Sequence, residues 1–134
     1  MTLVASIDPQ LPPLPARICD VPRRWAVATP DALAMRDGQS EWTYRQLITA
    51  ILEAKQRLRQ TGVRGGDRVV IVTENCMAVV ALLFAVAELD AWFVLANARL
   101  TDREIYAIRD DCGARLLLFM TVISTDAVAH AKRL

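Results

Sequence analysis

The sequence lacks most of the residues from which catalytic and metal sites are commonly built. Its only histidine is His130, and its three cysteines, Cys19, Cys76 and Cys112, are far apart and form no C-x-x-C pair. Neither a zinc site nor a disulfide framework is expected, and free thiols favour a reducing, cytoplasmic setting. Any Ser-His-Asp or Cys-His arrangement would have to use His130. That residue lies in a final segment that we expect to be frayed, which disfavours a catalytic role.

The sequence also lacks an excess of either charge and a long apolar run. It has 16 Lys and Arg against 15 Asp and Glu, so no excess of positive charge attracts nucleic acid to the chain. No nucleic-acid-binding motif is found either. The uncharged run from Asn75 to Ala87 is shorter than the roughly 20 residues of a membrane span. The start MTLVASIDPQLPPLP does not read as a signal peptide. We expect no nucleic-acid partner and no membrane span.

Proline is absent after Pro30, and most of the prolines lie between Pro9 and Pro15. Their fixed φ and missing N–H favour extended backbone. We predict an extended Pro-rich lead over residues 1–24 and a folded part over residues 25–134. With 134 residues, of which 54% are apolar, the chain is long enough for one domain with a core.

Turn and capping motifs predict the first elements of the folded part. Asp37-Gly38 between two short apolar runs indicates a small hairpin. Thr43 and Gln46 form a capping box that opens a helix, which Gly62 ends. The residues expected on the core face of this helix are Leu47, Ile48, Ile51, Leu52 and Leu58.

A strand, a helix and a second strand follow. The continuous β-branched run from Arg68 to Thr73 predicts a strand covered on both faces, as in parallel sheets. A helix from about Cys76 to Leu89 and a strand from Trp92 to Ala96 complete a βαβ unit. This helix is apolar nearly all round, so we expect part of its cover to come from outside the chain.

The last third predicts two helices around one strand. Thr101 and Glu104 form a second capping box, and the helix that they open stops near Gly113. Arg115 to Met120 is a third apolar strand, and residues 124–134 could form one more helix without a C-cap.

The stretch GVRGGDRVVIVTEN, residues 62–75, places two glycines beside the first buried strand. Loops that cradle phosphate follow a strand and open a helix, whereas Gly65 and Gly66 follow a helix and precede a strand. We interpret them as a tight turn that needs positive φ values, in which Asp67 can bond to its own backbone.

Other candidate residues favour structural roles. Beyond the same strand, Glu74 would repel phosphate, and we interpret it as stabilising the dipole of the next helix. Cys76 near that helix N-terminus is interpreted as a packing residue. Asp110 and Asp111 are adjacent near a helix end and point to different sides, so they cannot act as a paired carboxylate, and we expect them to be solvated or involved in helix termination.

The three tryptophans, Trp25, Trp42 and Trp92, are dispersed, and we expect them in core or interface packing. With these residues interpreted as structural, no catalytic constellation remains. We therefore assign no catalytic, cofactor-binding or metal-binding residue.

Three phrases in order resemble the N-terminal part of AMP-forming acyl-CoA synthetases, in the adenylate-forming superfamily. ATPDALAMRDGQSEWTYRQL resembles the family's A-x-x-x-P-D phrase, hairpin and T-Y-x-E-L. GVRGGDRVVIVTEN resembles G-V-x-P-G-D-R-V, and NARLTDREIYAIRDDCGARLLLF resembles N-P-R-L-T-x-x-E-L with a G-A-R strand. The resemblance implies an α/β fold. The expected fold is a partial parallel sheet of Rossmann or flavodoxin-like type that follows a small hairpin. This unit would be the incomplete N-terminal subdomain of such an enzyme.

Four positions depart from the pattern of that family. It usually has proline where Gly65, Leu95 and Ala98 stand, and glycine where Asp90 stands. Losing a rigid proline costs less than about 1 kcal/mol. Asp90 in place of a glycine at positive φ would cost more than a lost proline. Such departures are expected of a divergent or decaying copy of the enzyme.

The resemblance implies a parent enzyme that uses ATP and Mg²⁺ to activate a carboxylate and then transfers the acyl group to CoA. The family's phosphate loop, magnesium glutamate, hinge and C-terminal lysine all follow the part resembled here, so no functional residue carries over. We expect an inactive scaffold whose partner is the remainder of the synthetase or another covering protein surface. The alternative is a standalone interaction module derived from such an enzyme.

Overall fold

A computed structural model of the chain describes residues 15–38 and 40–133. Helices alternate with strands after an initial hairpin. In chain order the elements are α1 (Asp20–Ala28), β1 (Leu33–Asp37), β2 (Ser40–Thr43), α2 (Tyr44–Gln60), β3 (Arg68–Thr73), α3 (Met77–Glu88), β4 (Trp92–Asn97), α4 (Asp102–Cys112), β5 (Leu116–Phe119) and α5 (Thr125–Lys132). No described helix is both long and apolar enough to cross a membrane.

The predicted hairpin and both predicted capping boxes are present. β1 and β2 pair antiparallel around Gly38, whose φ is +58°. At the start of α2, Gln46 N–H donates to Thr43 Oγ1 at 3.3 Å and Thr43 N–H donates to Gln46 Oε1 at 2.8 Å. Thr101 and Glu104 repeat this arrangement at α4. Because these signals are local, the sequence located both helix starts.

The main sheet has the strand order β4–β3–β5, with both pairings parallel. Val69 and Ile71 of β3 point toward α2 and α3. Val70 and Val72 point toward α4 and α5 on the other face. All four side chains are fully buried, which confirms the prediction of a strand covered on both faces.

α3 is partly covered within the chain. None of its residues is exposed, because it lies between the sheet and α2, with the hairpin nearby. On the covered side, α2 turns its apolar residues Leu47, Ile51 and Leu58 toward α3. Ala78, Ala81 and Leu82 of α3 line an open groove beside α2 and β5, so the expectation of cover from outside the chain stays a prediction.

Glu88 near the end of α3 connects three helices. Its side chain is only 6% exposed and forms ion pairs with Arg23 of α1 and with Lys55 of α2, where Nζ lies 2.9 Å from Oε2. The hydrogen bond from Arg23, supported by the one from Lys55, lowers the pKa of Glu88 to about 2 against the opposing effect of burial. This cluster fixes α1 to the body of the fold.

Two expectations about local structure are corrected. Residues 1–14 of the predicted extended lead lie outside the described residues. Residues 20–24 of that lead are helical, since they form the start of α1. Pro22 is buried near the start of this helix. Proline is tolerated in the first turn of a helix, where its missing N–H has no partner to lose. Leu52, predicted on the core face of α2, is 45% exposed.

Candidate functional site

The Gly65–Gly66 loop lies at the N-terminal end of the sheet, between α2 and β3. Gly66 has a φ of +84°, and its N–H donates to the carbonyl oxygen of Asp90 at 2.8 Å. Asp67 Oδ2 accepts a hydrogen bond from the N–H of Arg64 at 2.8 Å. The expectation of positive φ is correct for Gly66 and wrong for Gly65. The loop makes a turn against the α3–β4 connection and leads into a strand.

The opposite end of the sheet, at the carboxyl ends of the strands, has the geometry of a ligand crevice. β3 leads to α3 on one face and β4 leads to α4 on the other, so the chain diverges between two neighbouring strands. Ligands of open parallel sheets bind at such points. A cavity of about 500 Å³ lies there. It is lined by Thr73, Glu74, Asn75, Val79, Leu95, Ala96, Asn97 and Arg99.

The polar groups of this crevice do not form an acid–base pair. Asn97 Oδ1 accepts from the N–H of Arg99 at 2.9 Å, and Thr73 Oγ1 donates to the carbonyl oxygen of Glu74. Glu74 is the one carboxylate in the lining. Within residues 15–38 and 40–133, no three His, Cys, Asp or Glu side chains gather where they could hold a metal ion. The crevice offers hydrogen-bonding groups without a catalytic constellation.

The start of α3 differs from its predicted form. Cys76 is the N-cap without a side-chain cap hydrogen bond, and the first turn of α3 contains no acidic residue. Glu74 therefore lies before the N-cap, outside the first turn in which the expected stabilisation of the helix dipole would act. Its Oε1 lies 3.5 Å from Oγ of Ser124, the N-cap of α5, and so connects β3 to α5. Cys76 is half-buried against the α2–α3 cluster, as its predicted packing role requires.

His130 is buried in a docked helix, so the expectation of a frayed final segment is wrong. The imidazole is 6% exposed, with Nε2 3.0 Å from the carbonyl oxygen of Ala98 and Nδ1 against Asp102. Arg133 Nε also donates to Asp102, at 2.7 Å, and this hydrogen bond is the main cause that lowers the pKa of Asp102 to about 2. Protein groups occupy both ring nitrogens, which leaves neither one directed at a substrate. The Ser124 cap and the burial of the helix face explain why α5 docks.

The remaining candidates have surface or packing positions. Asp110 and Asp111 are exposed, as predicted, and Asp110 pairs with the neighbouring Arg109. Trp42 is half-buried against the α2–α3 cluster. Trp25 is 49% exposed and Trp92 is 67% exposed, so neither is a core residue.

An apolar groove of about 390 Å³ lies between α2, α3 and β5, and we call it the β5 groove. β5 is the last strand of the described sheet, and Val122 just beyond it is 92% exposed. Apolar grooves beside an open strand edge are typical of contact surfaces. The lining residues are Trp42, Ala50, Glu53, Ala54, Arg57, Leu58, Thr61, Ala78, Ala81, Leu82, Leu118, Phe119, Met120 and Val122.

The fold is similar to that of solved proteins. The N-terminal domain of FACL13 from Mycobacterium tuberculosis, solved with an inhibitor, matches with a TM-score of 0.79 at 23% identity over 87% of this chain and 29% of that one. VinN in complex with L-aspartate matches with a TM-score of 0.79 at 23% identity over 88% of this chain and 32% of that one. Both matches show the fold alone.

Sequence comparison identifies relatives among CoA ligases. The chain is 34% identical over 104 residues to 2-succinylbenzoate–CoA ligase of Geobacillus sp. (strain WCH70), covering 78% of this chain and 20% of that protein. It is 37% identical over 97 residues to feruloyl-CoA synthase of Amycolatopsis sp., covering 72% of this chain and 20% of that protein. The chain thus spans about a fifth of the length of these relatives.

The family comparison agrees with the resemblance found in the three phrases. The model of the family described as AMP-binding enzyme matches residues 22–134, which include all five strands and nearly all of the helical residues described above. The chain therefore belongs to the AMP-binding enzyme family and corresponds to the N-terminal part of its larger members.

Proposed function

We propose that this chain is the N-terminal segment of an AMP-dependent acyl-CoA ligase. In the full enzyme a carboxylate and ATP form an acyl-adenylate, and CoA then accepts the acyl group as a thioester. The observation that carries the proposal is the family match over residues 22–134 together with the coverage of only 20% of the CoA ligases. In this proposal the chain supplies scaffold and no catalytic residue.

The groups that bind ATP, Mg²⁺ and CoA are assigned to the remainder of the ligase. The Gly65–Gly66 loop forms a turn in which the N–H of Gly66 is already hydrogen-bonded. Glu74, just after β3, contacts Ser124. Mg²⁺ binds through carboxylates and phosphates in octahedral geometry, and the described residues gather no acidic cluster of that kind. We assign no reaction step to the described residues.

The β5 groove supports the proposal that the remainder of the ligase is the partner. Its walls are mostly apolar, and no strand among the described residues pairs with β5 on the side away from β3. An additional strand and helix would cover both features. We place the remainder of the ligase on this surface.

Pyrophosphate exchange tests the scaffold role. The purified chain is expected to show no carboxylate-dependent exchange of labelled pyrophosphate into ATP. For the complementation, the Geobacillus ligase is truncated by removing the N-terminal segment that matches this chain. Co-expression of the chain with the remaining four-fifths is expected to restore exchange with 2-succinylbenzoate. Exchange by the chain alone that scales with its concentration would contradict the proposal.

The well-closed core favours a second candidate, a standalone interaction module. β3 is buried on both faces, and Glu88 joins three helices, so much of the fold needs no external cover. The DNA that follows the codon for Leu134 separates the two candidates. A frame that continues into a Ser/Thr/Gly-rich phosphate loop supports the ligase segment. A stop codon followed by an unrelated gene supports the module.

A further inference from the structure

We propose that the outer edge of β4 pairs antiparallel with the same edge of a second copy of this chain. β4 ends the β4–β3–β5 sheet, and no strand among the described residues pairs with its outer side. This edge lies on the opposite side of the sheet from the β5 groove. The inference goes beyond the proposed function and does not depend on it.

The hydrogen bonds to β3 determine which backbone groups of β4 face outward. The N–H groups of Trp92 and Ala98 both donate to oxygen atoms on the β3 side. Successive residues of a strand alternate in direction. The N–H and C=O groups of Phe93 and Leu95 and the N–H of Asn97 therefore point away from the sheet, where another strand can bind them. The C=O of Asn97 already accepts from the N–H of Leu100 at 3.1 Å.

The side chains of β4 do not protect this edge. Its sequence, WFVLAN, contains no charged residue, proline or glycine, the features with which proteins usually block an exposed edge. Trp92 is 67% exposed and Leu95 is 50% exposed. Both apolar side chains would lose contact with water if a second strand were added.

The charges at the two ends of β4 favour a second copy as the occupant. Asp90 precedes the strand and Arg99 follows it. Antiparallel pairing with the same strand brings the Asp90 end of one copy beside the Arg99 end of the other, whereas parallel pairing brings like charges together. Asp90 also contacts Arg17, but its side chain stays 75% exposed and remains accessible.

The outward groups define one symmetric register. With Leu95 opposite Leu95 of the second copy, Phe93 lies opposite Asn97. The two Leu95 residues then exchange two hydrogen bonds, and each Asn97 N–H donates to the Phe93 carbonyl of the other copy, which makes about four backbone hydrogen bonds across the two-fold axis. It also buries the two Leu95 side chains against each other on the α3 face of the sheet.

Sedimentation velocity over a concentration series tests the pairing with two variants. Leu95→Pro removes an outward donor but no hydrogen bond to β3, so the fold should persist. Leu95→Lys places like charges together at the two-fold axis. Each should raise the dimer dissociation constant about ten-fold or more. Val27→Lys, at an 86% exposed position on α1, is the matched control and should leave it unchanged.

A cross-linking variant tests the register without weakening the contact. Residues in a hydrogen-bonded antiparallel pair have Cα atoms about 5.5 Å apart, within the range that a disulfide bridges. Leu95→Cys should therefore form a reducible covalent dimer at dilute concentration. Leu52→Cys, at a 45% exposed position on α2, is the control and should form no covalent dimer.

Three results would overturn the proposal. The first is self-association unchanged in both Leu95→Pro and Leu95→Lys when their circular dichroism matches that of the wild type. The second is association that Val122→Lys abolishes and Leu95→Lys does not, which would locate the contact at the β5 groove. The third is a monomeric wild type that dimerises only after deletion of residues 1–14, which would show that these residues cover the edge.

Discussion

Gly66 is a residue at which a single backbone angle affects stability. Its φ of +84° is costly for a residue with a Cβ, whereas Gly65 has no positive φ, and a Cβ there would meet Asp90 Cβ at an ordinary 3.5 Å. We expect Gly66→Ala to lower the free energy of unfolding by about 1 kcal/mol or more. Gly65→Ala should change it by less than about 0.5 kcal/mol. Urea denaturation of both variants measures the difference, and equal losses would contradict the turn geometry.

Asp90 has a left-handed backbone without being glycine. Its φ is +56°, and its exposed ion pair with Arg17 offsets little of the strain. We expect Asp90→Gly to raise the free energy of unfolding by up to about 1 kcal/mol. Asp90→Ala should lower it, because alanine tolerates a left-handed backbone less well than aspartate does and also loses the weak ion pair. A thermal melt in which both variants shift in the same direction would refute this explanation.

The residues that the sequence predicted least well are those whose partners are distant in the chain. Glu74 and Ser124, and likewise Ala98 and His130, meet only after the sheet has formed. No periodicity or capping motif carries that information. The positive φ of Asp90, in contrast, could be predicted from the sequence. The family pattern has glycine at this position, and glycine is typical of left-handed backbone.

At the scale of elements, the Glu88 cluster links stability to pH. The folded pKa of Glu88 is about 2, below its ordinary value of 4.5. Its contribution is therefore fully present above about pH 4.5 and is lost as the pH falls toward 2. We expect Glu88→Gln to lower the free energy of unfolding at pH 7 by about 2 kcal/mol and to flatten its decline between pH 4.5 and 2.

Denaturant titrations at several pH values measure this effect. Glu53→Gln, which changes an exposed carboxylate of α2, is the matched control and should keep the wild-type pH dependence. Other carboxylates with lowered pKa values, such as Asp102, contribute to both proteins, so the difference between variant and wild type reports Glu88. An unchanged slope in Glu88→Gln would contradict the assignment.

The docking of α5 depends on His130. Its ring bonds to the Ala98 carbonyl and contacts Asp102 at the start of α4. We expect His130→Ala to speed amide hydrogen exchange in α5 about ten-fold or more while exchange in α2 and α3 stays the same. Lys132→Ala, on an exposed position of α5, is the control. Uniform faster exchange in every element would show a global effect and refute a local one.

Elements whose ends are specified by neighbouring residues were predicted closely. The capping boxes of α2 and α4, and the left-handed Gly62 and Gly113, fixed helix ends within a residue or two. The helical conformation of residues 20–24 was missed, since the prolines before it dominated the pattern. α1 depends on distant contacts for its position, because Arg23 bonds to Glu88.

At the scale of the whole molecule, the β5 groove should bind hydrophobic dyes. Contiguous exposed apolar patches of more than a few hundred Å² are uncommon on soluble monomers. We expect the chain to bind ANS and Val122→Lys combined with Leu118→Lys to reduce the fluorescence by half or more. Co-expression of the downstream part of a related ligase should suppress it too. Dye binding that persists in the double variant would locate the patch elsewhere.

The central position of β3 has a consequence for synthesis on the ribosome. Both strands that pair with β3, β4 and β5, follow it in the chain. The nascent polypeptide therefore exposes Val69 to Val72 before both β4 and β5 have emerged from the ribosome, and at about 5–20 residues per second that interval lasts seconds. Slow codons between Val72 and Phe119 should lengthen this exposure, increase dependence on chaperones and reduce the soluble yield.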